Sequence, residues 1–330
     1  MSGSRKGAST SSATGTAGVI RIGTRGSALA MAQTGLIADK VAKASGLQIE
    51  LVPIVTHGDN STAPLASLGG TGVFASALRE ALLADQCDLL VHSLKDLPTS
   101  DFPGLVIGAI PKRADARDAL CARDGLTLAE LPAGSRVGTG SPRRAAQLKA
   151  TRPDLEVMDL RGNVDTRLGR VHPGDLDAVV LAAAGLTRLG RLDAVTEFFE
   201  LSAWPTAPGQ GALAIEAAEQ HSAELDGVLA AIDHTSTRMA VVAERTVLAA
   251  LEAGCSAPVG ASALLDGDML FLSSTVYATD GSRSLTSSHA LVVEGSKAER
   301  ALLPRELGTR VADELLAGGV GEFTTFGGTA

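Results

Sequence analysis

The sequence predicts a mixed α/β protein with a smaller α+β unit at its C-terminal end, and three observations predict it. From Val19 onward, short β-like runs alternate with helical patterns, as in βαβ units around a largely parallel sheet. That alternation occurs twice, once before about Ile110 and again from about Arg117. After His234 it gives way to one long helix, alternating β stretches and a last helix. The 330 residues leave room for two or three compact units, each with its own core.

In the first set, VIRIG leads into a helix from Ala28 to about Ala44 and then into LQIELVPIVT. TGVFASALREALLAD puts Val73, Phe74, Ala77, Leu78, Ala81 and Leu82 on one helical stripe, and DLLVH after it reads as a buried strand. The loop from Ser93 to Thr99 therefore leaves the carboxyl end of a strand, where open α/β sheets place ligands. The second set runs DALCAR, SRVGTGS, a helix from Pro142 to about Lys149, LEVMDLRG, a helix after Asn163, and AVVLAAAGL. ALAIE, ending at Glu216, reads as one more strand after the Gly/Pro-rich PTAPGQG. A chain that returns to its first unit at this point makes two crossings, the plan of a hinged cleft.

The C-terminal unit begins with a helix from about Thr237 to Ala253, with Met239, Val242, Thr246, Leu248 and Leu251 near one face and Gly254 as its stop. MLFLSSTVYAT and SHALVVEG then alternate as strands, and a last helix runs from Ser296 to about Ala317. The expected domains are thus a leader over 1–18, a first domain over 19–111 and 212–230, a second over 117–205 and a third over 235–330. The leader, SGSRKGASTSSATGTAG after Met1, has no bulky apolar side chain to bury and no apolar stretch of the secretory kind.

Composition removes several function classes. Hydrophobic residues make up 45% against 20% charged, with no apolar run near the 18 or so that a bilayer requires, so membrane-spanning and wholly disordered readings fall away. The three cysteines, Cys87, Cys121 and Cys255, are too few and scattered for a disulfide framework or paired zinc ligands, which suits a reducing, cytoplasmic compartment. The six histidines show no metal-ligand spacing, and no catalytic metal is expected. A net charge of −8 argues against a nucleic-acid binder. Yet from Arg136 to Arg191 nine arginines and one lysine stand against six acids. A genomic preference for arginine codons explains Arg over Lys, but not this clustering.

The candidate chemistry lies at strand ends. Val137 to Arg144 reads as strand, small-residue turn and helix, with Ser141 as N-cap and Pro142 at the first helical position. Backbone amides, the Thr139 and Ser141 hydroxyls, Arg143 and Arg144 together suit a carboxylate or phosphate. It is not a nucleotide-binding P-loop, because the Lys-Ser/Thr ending is absent. Arg25 after the first strand, Arg161 and Arg167 in LRGNVDTR and Arg188 in AGLTRLGR repeat the design. One loop arginine is usually a solvated charge; several at strand ends facing one cleft read as a site for a ligand with several acidic groups. His92-Ser93-Leu94-Lys95-Asp96-Leu97-Pro98 adds an acid and a cation, or else an ordinary surface pair. Cys255, in a loop after a helix, is a nucleophile or a structural thiol.

Taken together, the motifs RIGTRGSALAMAQ, GVFASALREALL, DLLVHSLKDLP, VGTGSPRRAAQL, DLRGNVDTRL, AGLTRLG, APGQGALAIE and GCSAPVGA resemble, in order, those of the hydroxymethylbilane synthases, also called porphobilinogen deaminases. The resemblance implies three domains: two periplasmic-binding-protein-like (type II) α/β domains around a cleft, and a small α+β domain. It implies a transferase that condenses four porphobilinogens, with loss of ammonia, onto a covalent dipyrromethane cofactor and releases hydroxymethylbilane for haem biosynthesis.

By motif match, Cys255 would hold the cofactor through a thioether and Asp96 would be the catalytic acid. Ser93, Lys95, Thr139, Ser141, Arg143, Arg144, Arg161 and Arg188 would bind cofactor, and Arg25, Arg167 and Gln210 substrate. Each pyrrole carries an acetate and a propionate, so guanidinium forks suit the load. A monomer is expected, without nucleic-acid or membrane partners. The sequence departs from the family at Gly70-Thr71-Gly72 and Ser76, where lysines are common, which bears on how the loop from Asn60 to Gly72 meets ligand. The rival is a non-catalytic two-lobed module binding small anions, which has no need of Cys255.

Overall fold

Three sheets organise the chain, and two of them share one strand order. The computed structural model describes residues 18–55, 73–254, 257–324 and 326. The leader, the loop from Asn60 to Gly72 and Cys255 lie outside the described residues, apart from Gly18.

The first sheet contains β1 (Val19–Arg25), β2 (Gln48–Ile54), β3 (Leu89–Ser93), β4 (Leu105–Ala109) and β10 (Leu213–Ala218), in the order β2-β1-β3-β10-β4. The second contains β5 (Asp118–Ala122), β6 (Arg136–Gly138), β7 (Glu156–Met158), β8 (Ala178–Ala182) and β9 (Glu197–Phe198), in the order β7-β6-β8-β5-β9. In each, four strands share one direction and the fourth position is held by a strand antiparallel to them, β10 or β5. β5 is the strand by which the chain enters the second sheet, and β10 the strand by which it re-enters the first. The return expected at ALAIE is therefore observed, and the buried runs LLVHS, DALCA and AVVLA are central strands covered on both faces.

Helices α1 (Ala28–Ser45), α2 (Val73–Leu83), α3 (Pro142–Thr151), α4 (Val164–Leu168), α5 (Ala183–Arg188) and α6 (Ala223–Ile232) flank these sheets. α1 starts where Ser27 accepts from the Ala30 amide and stops at Gly46, whose φ of 72° is the left-handed conformation glycine tolerates. On α2, Leu78, Ala81 and Leu82 are buried as the stripe predicts, with Ala75 beside them and Ala77 half-buried; the side chains of Val73 and Phe74 are not described.

The third sheet is an antiparallel meander of β11 (Val259–Asp266), β12 (Met269–Tyr277) and β13 (Ser284–Val292). α7 (Thr235–Ala250) and α8 (Lys297–Ala317) pack on one face of it through Val247, Leu251, Leu270, Leu272, Leu307, Val311 and Leu315. α7 stops four residues before Gly254, and Val242 and Thr246 are only half-buried. The reason is that α7 is enclosed on several sides: Val241 joins a core with Leu94, Ile110 and Ala214, while Val247 faces the third sheet.

Candidate functional site

Among the described residues, most of the predicted site residues follow the carboxyl ends of parallel strands in the two larger sheets, Gln210 excepted. Arg25 closes β1, and Ser93 closes β3 with its hydroxyl donating to Gln33 Oε1 at 3.2 Å. A single 3₁₀ turn, Leu94–Asp96, follows and leaves the Asp96 carboxylate exposed. The turn is held from outside its own sheet: Arg245 of α7 donates to the carbonyls of Leu94 (3.1 Å), Leu97 (2.9 Å) and Pro98 (2.6 Å). Sequence reasoning missed Arg245, because nothing local links a helix residue to a loop 150 positions earlier.

On the second sheet, the turn after β6 runs through Thr139 and Gly140 to Ser141, which caps α3 by accepting from the Arg144 amide. A Cβ on Gly140 would lie 2.5 Å from the Leu160 carbonyl oxygen. Only glycine allows this approach, which lays the turn against the segment leading to Arg161. Asn163 caps α4, and Arg167 donates through Nε to the Gly162 carbonyl at 2.7 Å. Arg167 lies within electrostatic reach of Arg144, Arg161 and Asp159, and across the cleft of Asp96; burial and the two arginines lower its pKa. Arg188, at the end of α5, donates to the Gly211 carbonyl at 2.7 Å, and burial pulls its guanidinium down to about 10.

Lys95 joins this group from the first sheet. Its ammonium donates to Gln210 Oε1 at 3.2 Å, and burial together with Arg144 lowers it to about 8 against the opposing pull of Asp96 and Asp118. Below about pH 8 it is a cation in a field already positive, a setting that favours an incoming anion.

Arg143 and Arg144 are placed differently from the expectation of open cleft residues. Both are buried, and they share Asp118, the first residue of β5, which is fully buried. Arg143 Nη2 donates to one Asp118 oxygen at 2.8 Å and Arg144 Nη2 to the other at 2.6 Å. Trp204 Nε1 (3.0 Å) and Gln210 Nε2 (2.8 Å) complete the set. Burial pushes the Asp118 carboxyl up, but the two arginine charges and the Arg144 and Gln210 hydrogen bonds outweigh it and hold it well below the usual carboxylate range. Gln210, expected to meet substrate, is fully buried, with its amide committed to Asp118, the Ala116 carbonyl and Lys95. Its place in the crossing segment explains this: a polar side chain there must be satisfied internally.

A second buried carboxylate ties the same crossings to α7. Glu244 accepts two hydrogen bonds from Arg113 (2.6 and 3.0 Å), one from the Gly209 amide and one from the Ala263 amide of β11.

A family model described as "Porphobilinogen deaminase, dipyromethane cofactor binding domain" matches residues 20–226, and one for the C-terminal domain of the same enzyme matches 238–317. The chain belongs to the porphobilinogen deaminase family. Among curated relatives, the porphobilinogen deaminase of Leifsonia xyli is 60% identical over 94% of this chain and 96% of its own length. That of Cutibacterium acnes is 51% identical (92% and 96%), and porphobilinogen deaminase 1 of Streptomyces coelicolor 53% identical (91% and 95%). Among solved structures, the methionine-binding protein MetQ overlies 65% of this chain and 89% of its own, at 12% identity and a TM-score of 0.42.

The cofactor named in the family description is a dipyrrole with several carboxylates, and the residues present fit such a group. Gly254 and Ala257, which flank Cys255 in sequence, line a pocket together with Lys95, Ser141 and Arg143. The Nε atoms of Arg143 and Arg144 are buried with no hydrogen-bond partner among the described residues. Unsatisfied buried donors of this kind cost about 1–3 kcal/mol each, which an acceptor from a ligand relieves. Among the described residues, no group of His, Cys, Asp and Glu side chains is placed to hold a metal ion, and no helix is long and apolar enough to cross a membrane.

Proposed function

We propose that this chain is a hydroxymethylbilane synthase: it condenses four porphobilinogen molecules one after another, with release of ammonia, and hydrolyses the linear hydroxymethylbilane from the enzyme. The observation that carries the reading is the convergence of an exposed carboxylate, Asp96, with Lys95, Arg144, Arg161 and Arg167 beside the pocket that the neighbours of Cys255 line. The family membership points to the substrate, and the clustered cations support a place for its acidic side chains.

Dipyrromethane, if held as a thioether by Cys255, would supply the nucleophilic pyrrole carbon that takes the first unit, each added ring then presenting the carbon for the next. Lys95, Ser141, Arg143, Arg144, Arg161 and Arg188 hold its carboxylates, with Ser93 and Thr139 supporting the turns at their strand ends. Arg25 and Arg167 bind the acetate and propionate of the incoming porphobilinogen. Asp96 stands at the exposed tip of its turn, where its carboxyl oxygen hands a proton to the departing amine nitrogen and, as carboxylate, offsets the positive charge left on the ring. Arg245 keeps that turn in place by holding three of its carbonyls. The protein acts as a cytoplasmic monomer, without nucleic-acid or membrane partners.

The test is the intact mass of the purified protein and of Cys255→Ser. An excess equal to two linked pyrroles in the wild type, absent from the variant, supports the attachment; equal masses after exposure to porphobilinogen overturn it.

A further inference from the structure

We propose that Asp118 is a positioning residue that aims Arg143 and Arg144 at cofactor carboxylates and fixes that aim to the two segments joining the lobes. The inference rests on the reading of these arginines as carboxylate-binding groups and extends it to a residue that touches no ligand.

Asp118 is fully buried and its acceptor capacity is used up. A carboxylate has about four acceptor sites, and here four donors fill them: Arg144 and Gln210 on one oxygen, Arg143 and Trp204 on the other. The donors come from α3 and from the segment between β9 and β10, while Asp118 itself ends the segment between β4 and β5. Rotation of the carboxylate would break several charge-assisted bonds at once, so the two guanidinium planes are set by it. The Arg143 fork continues outward: Nη1 donates to the Pro205 carbonyl at 3.0 Å and also reaches Gln147, whose amide donates to the Tyr277 hydroxyl at 3.2 Å on β12 of the third sheet.

The cluster is complete as a scaffold and incomplete in charge. One carboxylate faces two guanidinium groups, while the Lys95 ammonium nearby has Asp96 in its own field. A buried cation without its counter-charge is costly, and among the described residues neither arginine Nε has a hydrogen-bond partner. A structural ion pair has no reason to be left one negative charge short; a site awaiting an anion has. Trp204 and Tyr277 are also the chain's one tryptophan and one tyrosine. Trp204 emission therefore reads this cluster without any label.

The experiment compares wild type, Cys255→Ser, Asp118→Asn and Trp204→Phe, each full-length and exposed to the same porphobilinogen. Three readouts are taken: cofactor occupancy by intact mass, thermal midpoint, and the Trp204 emission maximum where that residue is present. The expected results are an emission maximum that differs by several nanometres between loaded wild type and Cys255→Ser, and an Asp118→Asn protein that folds yet carries at least fivefold less cofactor. Asp118→Asn with wild-type occupancy and only a lowered midpoint would overturn the inference, as would identical emission maxima. If Asp118→Asn does not fold, Trp204→Phe decides, since it keeps the stacking against Phe199 and removes one donor: a two- to fivefold loss of occupancy at a near-native midpoint supports the inference, and full occupancy overturns it. A wild type that never loads cofactor is a failure of the functional reading itself, separable from the case where wild type and Asp118→Asn load equally.

Discussion

Asp96 and Asp118 belong to the two larger sheets and stand in opposite surroundings. Asp96 follows the exit of β3 in the first sheet, exposed, in a turn whose backbone carbonyls Arg245 clamps. Asp118 opens β5 in the second sheet, buried under four donors that hold it anionic. A carboxyl saturated with cations cannot give up a proton near neutral pH, because it holds none. The difference teaches that a carboxylate whose lone pairs the fold has already used is an anchor, whereas one left exposed, as Asp96 is, stays available for the acid role proposed for it.

The largest effect that would break this comparison is expected at Asp96. On the proposed role, replacing it with Ala removes a proton-transfer group, for which losses of about 10²- to 10⁴-fold are typical, while the folded state is hardly affected. Steady-state rates beside thermal melts check this, and turnover within threefold of wild type would remove Asp96 from the mechanism.

Next is Glu216, the first sheet's own anchored carboxylate, paired with Arg79 through three contacts of 2.7–3.2 Å and with His92 at 3.0 Å. Burial raises its pKa, but His92 and Arg79 outweigh burial and hold it at about 2, against 4.5 unfolded. A depressed carboxyl stabilises fully above its unfolded value and loses that contribution as pH falls from about 4.5 through about 2. Glu216→Gln should therefore cost on the order of 3 kcal/mol at pH 7, the gap to wild type closing across that acid window in urea titrations. A gap independent of pH would show that packing, not charge, is at stake.

A smaller effect sharpens the Asp96 side. Arg245→Lys keeps the charge but cannot span three carbonyls, and kcat should fall roughly tenfold with KM within about twofold, as for a loop that has lost its aim. A rise in KM with unchanged kcat would place Arg245 in binding instead. Smallest of all, Ser141→Ala removes the α3 N-cap beneath Arg143 and Arg144, a loss of about 1 kcal/mol visible as a lower urea midpoint.

The strand ends, the caps and the arginine-bearing loops were legible in the sequence because each rests on local signals. Ser141 with Pro142 predicts the start of α3, and the helix extends to Thr151, two residues past the expectation. SHALVVEG was legible as a strand, but the structure begins β13 four residues earlier, at Ser284, and adds β11, whose alternation is blurred by small residues. The anchors were not legible. Asp118, Glu216 and Glu244 find their cations 25 to 137 residues away, and no spacing rule spans that distance. Their signal was a charge beside or within an apolar run, as in DALCA and LAIEAA, which asks for a buried partner without naming it.

The placement of β10 has a consequence for how the molecule comes to be folded. The first sheet cannot join β3 to β4 until residues 213–218 exist, whereas the strands of the second all lie between Asp118 and Phe198. On the ribosome, then, the lobe made second is the first able to close, while in the lobe made first β3 lacks one neighbour and β4 its only neighbour for more than a hundred residues of synthesis, a window in which strand edges are exposed to misplaced pairing.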